Sequence, residues 1–210
     1  MLFRSYRQRG YAWYRRALRL DPADRGKYLE LQFGAISTNA TIWVNGSVAA
    51  HNWSGYNSIY IDLTPMARFG DDLNTIAIRV DAERMEGWWY EGAGLYRHAW
   101  LVKRPAVHIQ TDGIHADPRL DADGRWTVPI TASLSSILKA EAAATLVATL
   151  SDAEGRAVAT GKVETRVPPL GSAEAKLELV VPSPRLWSVS DPNLYTLRLS
   201  LAGPGEATDR

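Results

Sequence analysis

The chain contains no cysteine. That excludes disulfides, thiolate nucleophiles and cysteine-based metal sites, and it leaves the redox compartment unreadable. Histidine is scarce too. Four residues are scattered without metal-ligand spacing, so no metal and no other cofactor is expected. Charge of one sign is missing in bulk: 24 Lys and Arg stand against 23 Asp and Glu, a net charge of +1. Nothing therefore draws the whole chain towards nucleic acid or an anionic membrane. No apolar run approaches bilayer-spanning length, and the first residues show no signal-peptide core. The sequence reads as a soluble chain of unassigned compartment. Its arginine-rich start (Arg4, Arg7, Arg9, Arg15, Arg16 and Arg19) reads as a solvated strand face, with a transit peptide or nucleic-acid arm as the alternative. No internal repeat or low-complexity tract appears.

What is present is aromatic, and it is unevenly placed. Residues 1–105 hold six of the eight Trp and eight of the nine Tyr. They carry a net charge of +4, whereas residues 106–210 carry −3. The composition shift, together with the Lys103-Arg104-Pro105 end of an apolar strand, predicts a domain boundary at Lys103–Ala106. Both parts read as all-β. Leu29, Leu31 and Phe33 alternate with Glu30 and Gln32. Ile59, Ile61 and Leu63 share one face, as do Ile76, Ile78 and Val80. Asn45-Gly46 is a strong hairpin signal. In the second part, turns at Asp121–Gly124 and Asp152–Gly155 separate further alternating segments, and about six strands fit a sandwich of immunoglobulin size. Ser136–Ala144 has some helix-favouring residues and is read as a loop.

The stretch from Gly87 to Leu101 organises the rest. Gly92 and Gly94 permit a sharp turn, and Leu95 to Leu101 reads as one strand behind it. The turn should present Trp88, Trp89, Tyr90 and Glu91 as a loop. Aromatic rings cover the CH face of a pyranose, and a carboxylate accepts hydrogen bonds from its hydroxyls. Packing of the same rings in a core or between domains is the competing reading. Trp187, between Pro184 and Pro192, reads as a plug between domains. Arg97 reads as a structural ion pair or a ring-stacking residue.

The ordered set of motifs resembles glycoside hydrolase family 2. It comprises Gly10-Tyr11-Ala12-Trp13-Tyr14-Arg15-Arg16, Phe33-Gly34-Ala35, Ala40-Thr41-Ile42-Trp43-Val44-Asn45-Gly46, His51, Gly55-Tyr56 and Gly92-Ala93-Gly94-Leu95-Tyr96-Arg97. Pro184-Arg185-Leu186-Trp187-Ser188 and Asp191-Pro192-Asn193-Leu194-Tyr195 complete it. The version around Gly87–His98 looks most like the β-galactosidase-like branch. The resemblance implies a sugar-binding-like jelly roll over 1–105, truncated at its N-terminus, and an immunoglobulin-like sandwich over 106–210, truncated at its C-terminus. It implies no catalytic residue in this chain, because the family's two glutamates lie in a separate (β/α)8 barrel of about 250 residues, and a retaining pair must stand about 5 Å apart. It implies that Glu86, Trp88, Trp89 and Glu91 help to hold the sugar. Trp88 stands where some relatives carry an acid, so Glu86 or Glu91 would take over that hydroxyl contact. The expected partners are carbohydrate, held weakly or indirectly, and the barrel of a parent enzyme. Oligomeric state is left open by the sequence. A stand-alone carbohydrate-binding module and a structural β-sandwich interaction protein are the alternative functions.

Overall fold

The computed structural model describes residues 10–81, 83 and 93–204. The chain divides into two compact units, Met1–Lys103 and Arg104–Arg210. All regular structure among the described residues is strand, apart from two single 3-10 turns at Pro22–Asp24 and Thr64–Met66. No helix among them is long and apolar enough to cross a membrane.

The first unit is built from β1 (Tyr11–Leu18), β2 (Tyr28–Phe33), β3 (Ile36–Ser37), β4 (Ala40–Val44), β5 (Ser47–Asn52), β6 (Ile59–Asp62), β7 (Asn74–Asp81), β8 (Gly94–Leu95) and β9 (Ala99–Arg104). Strands β1, β7, β4 and β5 form one sheet in that order, and β6, β2 and β9 a second. The short pair β3–β8 stands apart. This is a jelly-roll sandwich. Alternation decides which residues enter its core: Leu29, Leu31, Phe33, Ile42, Val44, Ile59, Ile61, Leu63, Ile76, Ile78 and Val80 are all buried. Each such aliphatic side chain contributes about 1.5–3 kcal/mol on burial. Asn45 and Gly46 take positive φ (52° and 90°), as a tight hairpin between β4 and β5 requires.

The alternation misplaced Glu30. It is only 5% exposed, because the Tyr28 hydroxyl donates to it at 3.0 Å and the Gln32 amide at 2.6 Å. Three neighbouring polar residues on one side of β2 satisfy each other, so the carboxylate does not need water. The expected single strand Leu95–Leu101 is also corrected. It breaks at Tyr96–His98 because its two halves pair with different partners: Leu95 with Ile36, and β9 with β2. Between them Gly34 N donates to His98 O at 2.8 Å.

The second unit contains β10 (Val107–Ala116), β11 (Arg119–Leu120), β12 (Trp126–Ser136), β13 (Ala142–Ser151), β14 (Ala157–Val167), β15 (Ser172–Val181) and β16 (Thr196–Ala202). Strand β12 pairs with β10, β11 and β15, and β13 with β14 and β16. The two sheets enclose Ile130, Leu134, Leu146, Leu179 and Leu201 in an immunoglobulin-like sandwich. The segment between β12 and β13 is irregular, as the sequence suggested, and the two-residue β11 was not foreseen. Asp121–Arg125, at the turn before β12, and Asp152–Arg156, between β13 and β14, form matching clasps. In each, Asp Oδ1 accepts from the Arg backbone N–H at 2.8 Å, and Oδ2 accepts from Arg Nε at 3.0 Å. The Asp121 carboxyl is held below its usual range by the Arg125 backbone N–H and guanidinium. Asp152 is lowered as well, since its Arg156 contacts outweigh desolvation.

Candidate carbohydrate-facing site

The expected site residues Glu86, Trp88, Trp89 and Glu91 lie outside the described residues, and so does Gly92. The structure does describe where the loop carrying them is rooted. One end leaves β7 at Asp81, and the other returns at Ala93 and Gly94 in β8. Gly94 has φ +110°, and a Cβ there would run into the Tyr14 hydroxyl, so only glycine fits this return point.

Both ends converge on the segment between β3 and β4. Ser37 pairs with Gly94, and Asp81 N donates to Asn39 O at 3.3 Å. The Asn39 side chain donates from Nδ2 to Asp81 Oδ2 at 3.2 Å. Its Oδ1 is therefore the acceptor that faces His51 Nε2 at 2.9 Å, which assigns the ring proton to Nε2. Asp81 Oδ1 accepts from Glu83 N at 3.0 Å, the first described residue of the loop's base. His51, Asn39, Asp81 and Glu83 thus form one hydrogen-bonded line. Asn39 (8% exposed) and Asp81 (3% exposed) are its buried centre. Sequence reasoning gave His51 no role and missed Asn39 and Asp81. The signal was weak: an Asn beside the β4 start, and an Asp ending a strand whose alternate residues are apolar.

Around this line stand aromatic rings. Trp53 meets His51 edge-on at 4.2 Å and is exposed, as are Tyr56 and Tyr96. The Tyr96 hydroxyl donates to Gly55 O, which fixes that ring against the β5–β6 connection. The exposed rings at this rim can cover a pyranose face, while Asn39 and Asp81 are buried and bonded to each other and serve to hold the root. Among the described residues no group of His, Asp and Glu could hold a metal ion.

The family profile "Glycosyl hydrolases family 2" matches residues 107–210. A β-galactosidase of Bacteroides ovatus, BoGH2A, is 34% identical over 96% of this chain and 24% of its own length. A family 2 glycosyl hydrolase of Bacteroides cellulosilyticus superposes with a TM-score of 0.87 at 30% identity. That match covers 99% of this chain and 28% of the other. This chain belongs to glycoside hydrolase family 2. A β-glucuronidase of Bacteroides uniformis, 26% identical, gives the same TM-score of 0.87 over 96% of this chain and 26% of its own. The chain spans about a quarter of the length of these relatives.

Two grooves complete the description of this family 2 chain, the first of them bordering the loop's return point through Tyr14. Strands β1 and β9 are the outer strands of their sheets. Between them opens a groove of about 460 Å³, floored by Leu31, Phe33, Ile76 and Ile78 and rimmed by Tyr14 and Trp100. In the second unit, Trp126, Leu186, Trp187 and Tyr195 line an apolar groove of about 330 Å³. Trp187 is 59% exposed there and bridges to Pro192. Arg97 makes no ion pair among the described residues and is exposed, so the expected structural pairing is not found. Its Cβ instead abuts Gly34, where an added methyl would sit 3.1 Å away.

Proposed function

We propose that this chain is the non-catalytic N-terminal part of a β-galactosidase-type glycosidase. The parent hydrolyses terminal β-glycosides, and the residues supplied here complete one wall of its sugar pocket. The observation that carries this reading is the match of nearly the whole two-sandwich chain to about a quarter of longer glycosidases. The loop between Asp81 and Ala93 is the wall. Its root is tied by the His51–Asn39–Asp81–Glu83 line, a rigid seat of the kind a positioned binding loop needs. Glu86 and Glu91 accept sugar hydroxyls, and Trp88 and Trp89 cover a ring face.

Chemistry belongs to a carboxyl pair outside these residues. Retention requires two carboxyl groups about 5 Å apart, one protonating the leaving oxygen and one attacking the anomeric carbon. Three of the described acids are committed elsewhere: Asp24 to lysines, and Asp121 and Asp152 to arginines. The test is direct. The purified 210-residue chain, incubated with para-nitrophenyl β-galactoside and β-glucuronide, should release no nitrophenol above the buffer rate. Turnover by the chain alone overturns the proposal.

A further inference from the structure

At one end the outward side of the β1–β7–β4–β5 sheet carries Asp81, the buried centre of the loop root; the rest of that side lies outside the root. Its register places Trp13 opposite Arg79 and Tyr11 opposite Asp81. Thr41 lies opposite Arg79 on the other side of β7. Trp43 faces Val48 on β5. Trp13 stacks on Trp43, with ring centroids 5.4 Å apart and 26° between planes, yet stays 62% exposed. Val48 is 64% exposed. Trp13, Trp43 and Val48, with Arg79 of β7 between the two indoles, therefore form a strip from β1 to β5, about 14 Å at three strand spacings, which is room for more than one pyranose ring.

Charge on this face is one-sided. The Arg79 guanidinium lies 5.1 Å from the Tyr11 ring centroid and 5.9 Å from that of Trp43. Its Nε is shielded from solvent and has no hydrogen-bond partner among the described residues. Arg15 shares the face two residues beyond Trp13, is exposed, and makes no ion pair among the described residues. The acid of this face, Asp81, is buried and engaged by Asn39. Among the described strand residues the face thus offers an indole surface and two arginines, with its carboxylate, Asp81, buried.

We propose that this face is a second glycan site, specific for an acidic chain bearing uronic acid residues. A pyranose CH face stacks on Trp13. The uronate carboxylate accepts from the Arg79 and Arg15 forks, whose planar donors match a carboxylate's two oxygens. A neutral glycan would leave both guanidinium groups without an anion. A stable protein partner would bury about 800 Å² per side, more than one narrow strip supplies. Nucleic acid would need a broad basic field, which a chain of net charge +1 lacks. The choice of a glycan rests on the reading that the parent acts on glycosides. The site shares β7 with the root of the pocket loop but uses none of the root's residues.

The test titrates the 210-residue chain with trigalacturonate and with β-1,4-galactotriose, read by calorimetry and Trp fluorescence. The acidic trimer should bind at least about tenfold more tightly, and its affinity should fall with added salt, because guanidinium–carboxylate contacts at a surface are screened. Trp13→Ala should weaken it about tenfold or more through loss of the stacking face. Arg15→Gln should weaken it several-fold, and Arg79→Lys likewise, while Trp13→Phe, which keeps a ring, restores most of the affinity. Circular dichroism of each variant confirms that it is folded. Equal binding of both trimers, binding of neither, or acidic-trimer binding unchanged by Trp13→Ala overturns the site. These results are read without turnover, so they separate from failure of the accessory-domain reading, which the nitrophenol assay alone decides.

Discussion

The two sandwiches use the same alternation and finish it differently on the outside. In the first unit the outward positions of β1, β7 and β4 include Tyr11, Trp13, Arg15, Arg79, Thr41 and Trp43, with Asp81 buried at one end. In the second, the outward positions of β14 and β15 are Lys162, Glu164, Arg166, Glu174, Lys176 and Glu178, all exposed. There each sign has the other close by: Lys176 meets Glu174 at 2.8 Å, and Arg166 meets Glu141 at 3.3 Å. The second surface interleaves both signs, pairs two of its cations and has little to offer a ligand. The first is apolar and cationic with its carboxylate buried, and that difference separates a solvated face from a recognising one.

The contrast is confined to the surfaces, so the cores should respond alike. Ile42→Ala beneath the aromatic face and Leu146→Ala in the second core remove side chains that are 0% exposed. Each should cost about 2–5 kcal/mol in urea unfolding. A cost well under 1 kcal/mol in one unit only would show that its core is not packed like the other's.

A smaller effect should come from Asp24, which is 3% exposed and takes hydrogen bonds from Lys27 and Lys103, tying the first 3-10 turn to β9. Lys103→Met should cost about 2 kcal/mol. That is less than the ~3–5 kcal/mol of a fully buried pair, because the lysine remains partly exposed. Burial pushes the Asp24 carboxyl up, but the two lysines outweigh it and hold it below its usual range. Its contribution is therefore complete above about pH 4, the unfolded value, and is lost as pH falls through the lower folded value. Acid unfolding monitored from about pH 5 to 2 should show this loss, and the Asp24→Asn variant should lack that component. The smallest effect belongs to this mixed-charge surface. Lys176→Ala should change stability by no more than about 0.5 kcal/mol, and a larger change would mean that those ion pairs organise the sheet.

The sequence showed the buried sides of long strands well. Ile59/Ile61 and Ile76/Ile78/Val80 carry period-two alternation, and Asn45-Gly46 carries its own turn geometry. Two-residue strands such as β3, β8 and β11 have no period to read, because their existence depends on a partner far along the chain. The break at Tyr96–His98 has the same cause: nothing local says that Leu95 belongs to β3 and Ala99 to β2. The site was half legible. Residues around Gly94 could be assigned to a loop return, but the Asn39–Asp81 tie joins residues 42 positions apart. The Trp13–Arg79–Trp43 layering likewise arises only once β7 lies between β1 and β4.

The twin clasps at Asp121–Arg125 and Asp152–Arg156 have a consequence for how the second unit assembles. Five residues of one pattern reach the same hydrogen-bond lengths in two different settings. Their geometry is therefore local property rather than a gift of the surrounding sheet. Gly124 and Gly155 take φ of 77° and 78°, which completes the reversal within four peptide units. Closing so short a loop loses little chain entropy. The β13–β14 hairpin should thus be among the earliest structures to appear during folding, on the microsecond scale of hairpins, with β16 added afterwards across a much longer stretch of chain.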